Sequence, residues 1–396
     1  MQEVDLLIIG SGPAGISTAL HLLRQDPGWV KRMIMLEKAA HPRPKLCAGG
    51  VTRIGLETLR DLGLNLPLPI PSVEIEEARF VYKNRVINVR GEPEFVVYNR
   101  IELDAFLSDH ALQQGISIHE NEAVNSISIN PAGFVINTTR DVYRAKVIIG
   151  ADGSKGVTRR IVNGYEQASK VARVIETVIP VKETQPQYAE GFAIFDLTPS
   201  EENLQGYYWE FPSLVEDVPS LNRGVYDARL APKRDKADLP GILEERTNAD
   251  QSDASIGKLQ GHPLHWFSLS NRFSIPRLLL VGDAAGVDPL FGEGIGPALA
   301  YGRLAAVEVI NAFQREDFSF RFYRMHLLTS RVGRYLLLRW LVAWVSYHLN
   351  WNQVYMHVLW SVGKIISILW PKPGPLYSID PSKGRSIGDQ INSSAD

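Results

Sequence analysis

The 396-residue chain sets 42 Lys and Arg against 44 Asp and Glu, a formal net charge of −2, and so lacks the basic field that holds a nucleic-acid backbone. Its length accommodates an open α/β core with a second, smaller layer. Cys47 is the only cysteine, which excludes an internal disulfide and a cysteine metal cage and suits a reducing compartment.

The first residues, Met1 to Asp5, place no basic stretch ahead of an apolar one, so no signal peptide is expected and the expected location is cytoplasmic. Val4 to Ile9 reads as a buried strand, Ile16 to Arg24 as a helix and Lys31 to Glu37 as a second strand, the βαβ pattern of a parallel sheet. Between strand and helix lies Gly10-Ser11-Gly12-Pro13-Ala14-Gly15, a turn that brings backbone N–H groups and the helix's positive end to a pyrophosphate. Glu37 ends the second strand 22 residues after Gly15, where a carboxylate accepts hydrogen bonds from a ribose. These features predict a dinucleotide site and leave NAD and FAD both open.

Prolines make His41 to Pro44 a loop, continued by Ala48-Gly49-Gly50 before a helical segment from Arg53 to Leu62. Alternation in Ser72 to Val97 predicts strands outside the parallel core, and Arg100 to Gln114 has helical spacing. Val142 to Gly150 returns as a buried strand ending in Ala151-Asp152-Gly153. Strands dominate Val171 to Trp266, with a polar interruption expected over Leu214 to Asn222. Tyr207, Trp209 and Phe211 fall on one strand face, suited either to lining an apolar tunnel or to core packing. Leu278 to Val281 is again a buried strand, followed by Asp283, a strand-end carboxylate suited to grasping a polyol or capping a helix. The loop Gly292-Glu293-Gly294-Ile295-Gly296 opens a helix over Ile295 to Gln314.

Beyond it, Tyr335 to Trp370 is apolar but interrupted by Arg339, His348, Asn350, Asn352, His357 and Lys364, so no span of about 20 apolar residues is available to cross a bilayer. Trp340, Trp344, Trp351, Trp360 and Trp370, with Arg331, Arg334, Arg339 and Lys364, give this end an interfacial character; peripheral membrane contact, a lid and an oligomer contact all fit. The expected organisation is a discontinuous three-layer α/β dinucleotide-binding domain (1–71, 98–170, 267–314). A mostly antiparallel substrate sheet (72–97, 171–266), a helical end (315–370) and an extended tail (371–396) complete it.

The motifs taken in order resemble the flavoprotein superfamily of aromatic hydroxylases and geranylgeranyl reductases. Gly150 to Arg159 is similar to its second motif and Leu280 to Gly286 to its third. The resemblance implies noncovalent FAD, with Asp283 on the ribityl hydroxyls and Asp152 and Gly153 near the pyrophosphate. It places Arg100 by the cofactor, and extends the FAD contacts to Ala14, Lys38, Ala48 and Val124. The loop Gly292, Gly294, Ile295, Gly296 would meet the flavin's pyrimidine edge.

Lys45-Leu46-Cys47-Ala48-Gly49-Gly50 resembles the cysteine-glycine loop of geranylgeranyl reductases, and Tyr207-Tyr208-Trp209-Glu210-Phe211-Pro212 resembles their aromatic signature. By that resemblance Cys47, Tyr207 and Trp209 are catalytic candidates and Tyr207, Trp209 and Phe211 hold substrate. One departure stands out: Gly224 follows Pro212 at a longer interval than the family's glycine, which implies a longer turn in the substrate wall.

The expected reaction is reduction of carbon–carbon double bonds in an isoprenoid small molecule or lipid. An aromatic monooxygenase and a membrane-surface flavin electron carrier are the competing readings. With one dinucleotide fingerprint, no separate NAD(P)H domain is expected, and NAD(P)H and a ferredoxin-like protein both remain as electron donors.

Overall fold

The computed structural model describes residues 1–130, 133–164, 170–248 and 259–369. The expected tail over 371–396 and Trp370 lie outside these described residues.

Two large sheets organise the chain. In the first, the strands Leu278–Leu280, Val142–Gly150, Gln2–Ile9, Met33–Leu36 and Ile118–His119 lie side by side in parallel. Leu6, Leu7 and Ile8 are wholly buried, as a parallel strand covered on both faces requires. The hairpin of Val124–Asn130 and Gly133–Thr138 joins this sheet through the Val142–Gly150 strand. Helix Pro13–Gln25 packs against helix Ile295–Arg315, where Ser17 Oγ donates to the Leu299 carbonyl at 2.6 Å. Gly302 permits that approach, since a Cβ there would lie 2.6 Å from the Thr18 backbone nitrogen.

The second sheet, mostly antiparallel, runs Gln260–His265, Val171–Pro180, Val218–Asp227, Gly206–Val215, Phe192–Asp196, Ser72–Tyr82, Arg85–Tyr98 and Gly50–Thr52. Gly50–Thr52 leaves the glycine loop to pair with Arg85–Tyr98, and thereby ties the Cys47 loop to this sheet.

Leu214 to Asn222 is not the interruption the polar residues suggested. The two flanking strands pair without a break from Gly206↔Asp227 to Val215↔Val218. Only Glu216 and Asp217 form the turn, at φ 51° and 62°, the left-handed pair of a two-residue hairpin. The turn between these strands is therefore only two residues long, and the remaining spacing between Pro212 and Gly224 lies in the paired strands.

Helices Tyr323–Thr329, Arg331–Leu349 and Gln353–Leu369 close the described chain. Ser330 caps the second of these by accepting from Gly333 N at 3.1 Å. That helix is anchored inward by Arg339, which donates to Asp288 Oδ2 at 2.9 Å, and by the Tyr335 hydroxyl, which donates to Glu293. The last helix rests on Tyr82 through Met356 and Trp360, while Val354, Val358, Val362, Ile365 and Ile368 remain exposed on it. Among the described residues, no helix is long and apolar enough to cross a membrane.

Candidate functional site

Two cavities of about 1350 and 1190 Å³, counted to their open mouths, adjoin between the sheets and share Lys45, Arg100, Asp283 and Gly294. The second is a cleft along the carboxyl ends of the parallel strands, where open α/β sheets take their ligands. Gly10, Gly12, Ala14, Glu37, Lys38, Val124, Asp152, Gly153 and Ile295 line it. Each glycine of the turn has a separate task. Gly10 is at φ 104° and an added Cβ would lie 2.3 Å from the Ala151 carbonyl oxygen; at Gly15 it would lie 2.0 Å from that of Gly10. Gly12 faces the cleft, with only the Arg43 guanidinium near at 3.7 Å. Gly15 and Gly296 do not line either cavity: the first packs helix against strand, and the second packs against Ile54 and Gly55.

Several carboxylates in the cleft are already engaged by the chain. Glu37 Oε2 accepts from Ser11 N and Oγ, both at 3.1 Å, and its Oε1 accepts from Ala39 N at 3.2 Å, which fixes the glycine turn to the second strand. Asp152 accepts from Thr158 N at 2.9 Å and from Thr158 Oγ1 at 2.6 Å, and so holds the first turn of helix Val157–Asn163. Burial pushes the Asp152 pKa up, against those hydrogen bonds. Arg100 grips Asp104 through Nε and Nη2 at 2.8 and 2.9 Å. Burial disfavours the Arg100 charge, but Asp104 beside it outweighs that and raises its pKa. Asp283, by contrast, stands at the junction of both cavities with Lys45 Nζ at 3.8 Å.

The first cavity is walled by Cys47, Ala48 and Gly292 on one side and floored by the second sheet. Register aligns one row across six strands: Gln260, Glu176, Gly224, Trp209, Phe195 and Phe80. A neighbouring row sets His262, Val174, Tyr226 and Tyr207 side by side. All of these except Gly224 line the cavity, as does Phe211. Trp209 Nε1 donates to Asn222 Oδ1 at 2.8 Å and the Tyr207 hydroxyl to the Phe291 carbonyl at 2.5 Å, so their polar ends are satisfied and their rings present carbon. These rings pack on each other and also form the floor of the cavity.

Cys47 is held from both sides. Its N–H donates to Glu176 Oε1 at 2.9 Å, its carbonyl accepts from Asn222 Nδ2 at 3.4 Å, and its Sγ accepts from Gly49 N at 3.4 Å. Burial raises the thiol's pKa, so it is a neutral S–H. Lys45 Nζ donates to His262 Nε2 at 3.1 Å. Burial lowers the pKa of both, that of His262 to about 4, which keeps the imidazole a neutral acceptor.

Glu176 was not among the sequence candidates. Burial raises its pKa to about 7, and no described group hydrogen-bonds its Oε2. The signal available was a single acid on the inward face of the strand Val171–Pro180, otherwise rich in β-branched residues. Arg339 and Glu293, which also line the first cavity, were missed because their partners are distant in sequence.

Comparison with known proteins places this geometry. The family model described as FAD binding domain matches residues 3–299. The digeranylgeranylglycerophospholipid reductase of Methanosphaerula palustris is 30% identical over 345 residues, which cover 80% of this chain and 79% of that protein. A geranylgeranyl bacteriochlorophyll reductase-like protein from Thermoplasma acidophilum is similar in structure at a TM-score of 0.75 and 19% identity, over 100% of this chain and 96% of that one. A variant of halogenase PltM, solved in complex with FAD, is similar at a TM-score of 0.66 and 17% identity, over 98% of this chain and 94% of that one.

Proposed function

The chain belongs to the FAD binding domain family, in its geranylgeranyl reductase branch, and from that premise we propose that it reduces carbon–carbon double bonds of an isoprenoid chain. FAD is the cofactor, and the residues present fit it. The cleft offers the open face of Gly12 at the N-terminus of helix Pro13–Gln25 for a pyrophosphate. Asp283 has a carboxylate at the junction for the ribityl hydroxyls, and Gly294 and Ile295 open a second helix toward the flavin ring.

The observation that carries the substrate class is the floor of the first cavity. Phe80, Phe195, Trp209 and Phe211 give it a carbon surface suited to an aliphatic chain and poor for a sugar. Bound and reduced, FAD would supply a hydride equivalent, while the chain's own residues would position the alkene, exclude water and deliver a proton. Cys47, Tyr207 and Trp209 border the reacting region in this reading, with Tyr207, Trp209 and Phe211 as the main substrate contacts.

The second reading is an oxygen-dependent reaction on an aromatic substrate, because the fold, shared with a halogenase solved with FAD, does not fix the reaction. Native mass spectrometry with solvent extraction of purified protein separates the two. Co-purified FAD with a prenyl lipid supports the reductase, whereas FAD with an aromatic ligand supports the alternative.

The helical end supplies access to such a lipid. Leu338, Leu341 and Trp344 on one helix and Val354, Val358 and Ile365 on the next expose apolar stripes. In this reading they rest on a bilayer surface, while Tyr335 and Arg339 on the inner side of the same helix hold the loop Asp288–Gly296.

A further inference from the structure

Reduction of an alkene needs a proton as well as two electrons, and the cavity contains several X–H groups. Most are committed. The Tyr207 hydroxyl donates to the Phe291 carbonyl, Arg100 to Asp104, and Lys45 to His262 with Asp283 alongside. Glu293 accepts from Thr52 and Tyr335, and Glu94 faces the charges of Arg339 and Arg53. Glu176 differs. One of its oxygens is tied to the Cys47 backbone, and the other is buried with no partner among the described residues, although the residue borders the cavity.

We propose that Glu176 is the acid that delivers the proton half of the reduction, held toward the alkene by the Cys47 backbone N–H. The inference rests on the reductase reading above. Glu176 and Trp209 stand in one cross-strand row, separated only by Gly224, which has no side chain. A chain lying on Trp209, Phe195 and Phe80 therefore has its end at the carboxyl. In the step, the alkene's π bond breaks. One carbon bonds to a hydride equivalent from reduced FAD, and the other to the Glu176 proton as its O–H bond breaks. The substrate gains two electrons, both from reduced FAD, and the carboxylate left behind is reprotonated from water.

The surroundings suit an acid that works near neutrality. Burial holds the carboxyl's pKa at about 7, while the positive charges of Lys45 and Arg100 stabilise the anion formed after transfer. Cys47, His262, Asp283, Glu94, Glu293, Arg339, Tyr207 and Tyr226 are the other titratable groups lining the cavity, and burial keeps His262 neutral there. The Cys47 thiol, pushed above its ordinary 9.0 by burial, is much the weaker acid.

The test uses FAD-loaded enzyme and Glu176→Gln, which keeps an acceptor for the Cys47 N–H but has no acidic proton, beside Glu176→Asp, which keeps the acid. Infrared titration of the oxidised holoprotein reads the carboxyl directly. The wild type is expected to show a protonated-carboxyl band that fades with a midpoint near pH 7 and is missing in Glu176→Gln. Anaerobic reoxidation of reduced enzyme by a geranylgeranyl compound then reads the step. Glu176→Gln is expected to be about 100-fold slower or more, with unchanged FAD affinity. The wild-type rate should fall above pH 7, and Glu176→Asp should retain that fall. A Glu176→Gln enzyme with the wild-type rate and pH profile, or a wild type without the band, overturns the proposal and leaves the reductase reading standing. A wild-type flavin that no prenyl chain reoxidises overturns both.

Discussion

Gly224 lies directly across the sheet from Trp209, and a Cβ added to it would stand 2.3 Å from the indole. The indole thus occupies the space left by the missing side chain. Gly224→Ala should displace the ring, lower stability by roughly 1–3 kcal/mol as overpacking does, and raise KM for a prenyl substrate more than it lowers FAD occupancy. Thermal unfolding and steady-state kinetics check this; an unchanged KM would remove Trp209 from the substrate floor.

Asp283 and Asp152 should part company on mutation. Asp283→Ala removes a junction carboxylate and is expected to weaken FAD binding by about 1–3 kcal/mol, read by flavin fluorescence on titration. Asp152→Ala removes two hydrogen bonds that hold the first turn of a helix through Thr158, so its main effect should be a loss of about 1 kcal/mol of stability in denaturant unfolding. Equal losses of FAD affinity in both would contradict this division.

This division was only partly legible in the sequence. The glycine turn, Glu37 and the strand-ending Asp283 follow from local pattern, because a parallel strand feeding a helix dictates its own turn. The task of Asp152 needed Thr158 in space, and Glu37's hydroxyl partner Ser11 needed the turn's geometry. The hairpin at Glu216 and Asp217 escaped notice because polar residues continue into both strands, where pairing across the sheet overrides composition. Glu176 was hidden for a related reason: its meaning comes from register with Gly224 and from a loop more than a hundred residues earlier.

Acid should destabilise the fold through its buried histidines. Burial lowers the pKa of His21 and His262 to about 4 and that of His265 to about 2. The unfolded chain binds protons at these sites near 6.5 and the folded one does not. The stability they contribute is therefore present above about pH 6.5 and lost as pH falls toward the folded values. Glu176 acts with the opposite sign, since its raised pKa favours the folded state below the ordinary carboxylate value and withdraws that stability as pH rises through about 7. Urea midpoints across pH 4.5 to 8 should fall at the acid end, and His265→Asn should flatten the acid limb.

The exposed stripes predict a lipid-binding phenotype separable from folding. Leu338→Asp with Val358→Asp alters exposed positions, so unfolding should move by no more than about 0.5 kcal/mol while flotation with liposomes drops. Equal flotation of variant and wild type would instead favour a lid or an oligomer contact for this end.

The most direct measurement is a single turnover of chemically reduced holoenzyme, kept anaerobic and given a geranylgeranyl compound, with product mass and flavin absorbance followed together. Products heavier by about two mass units for each bond reduced are expected, formed in step with flavin oxidation and without oxygen. Flavin that stays reduced until oxygen is admitted, with a product that has gained an oxygen atom, would contradict the reductase reading.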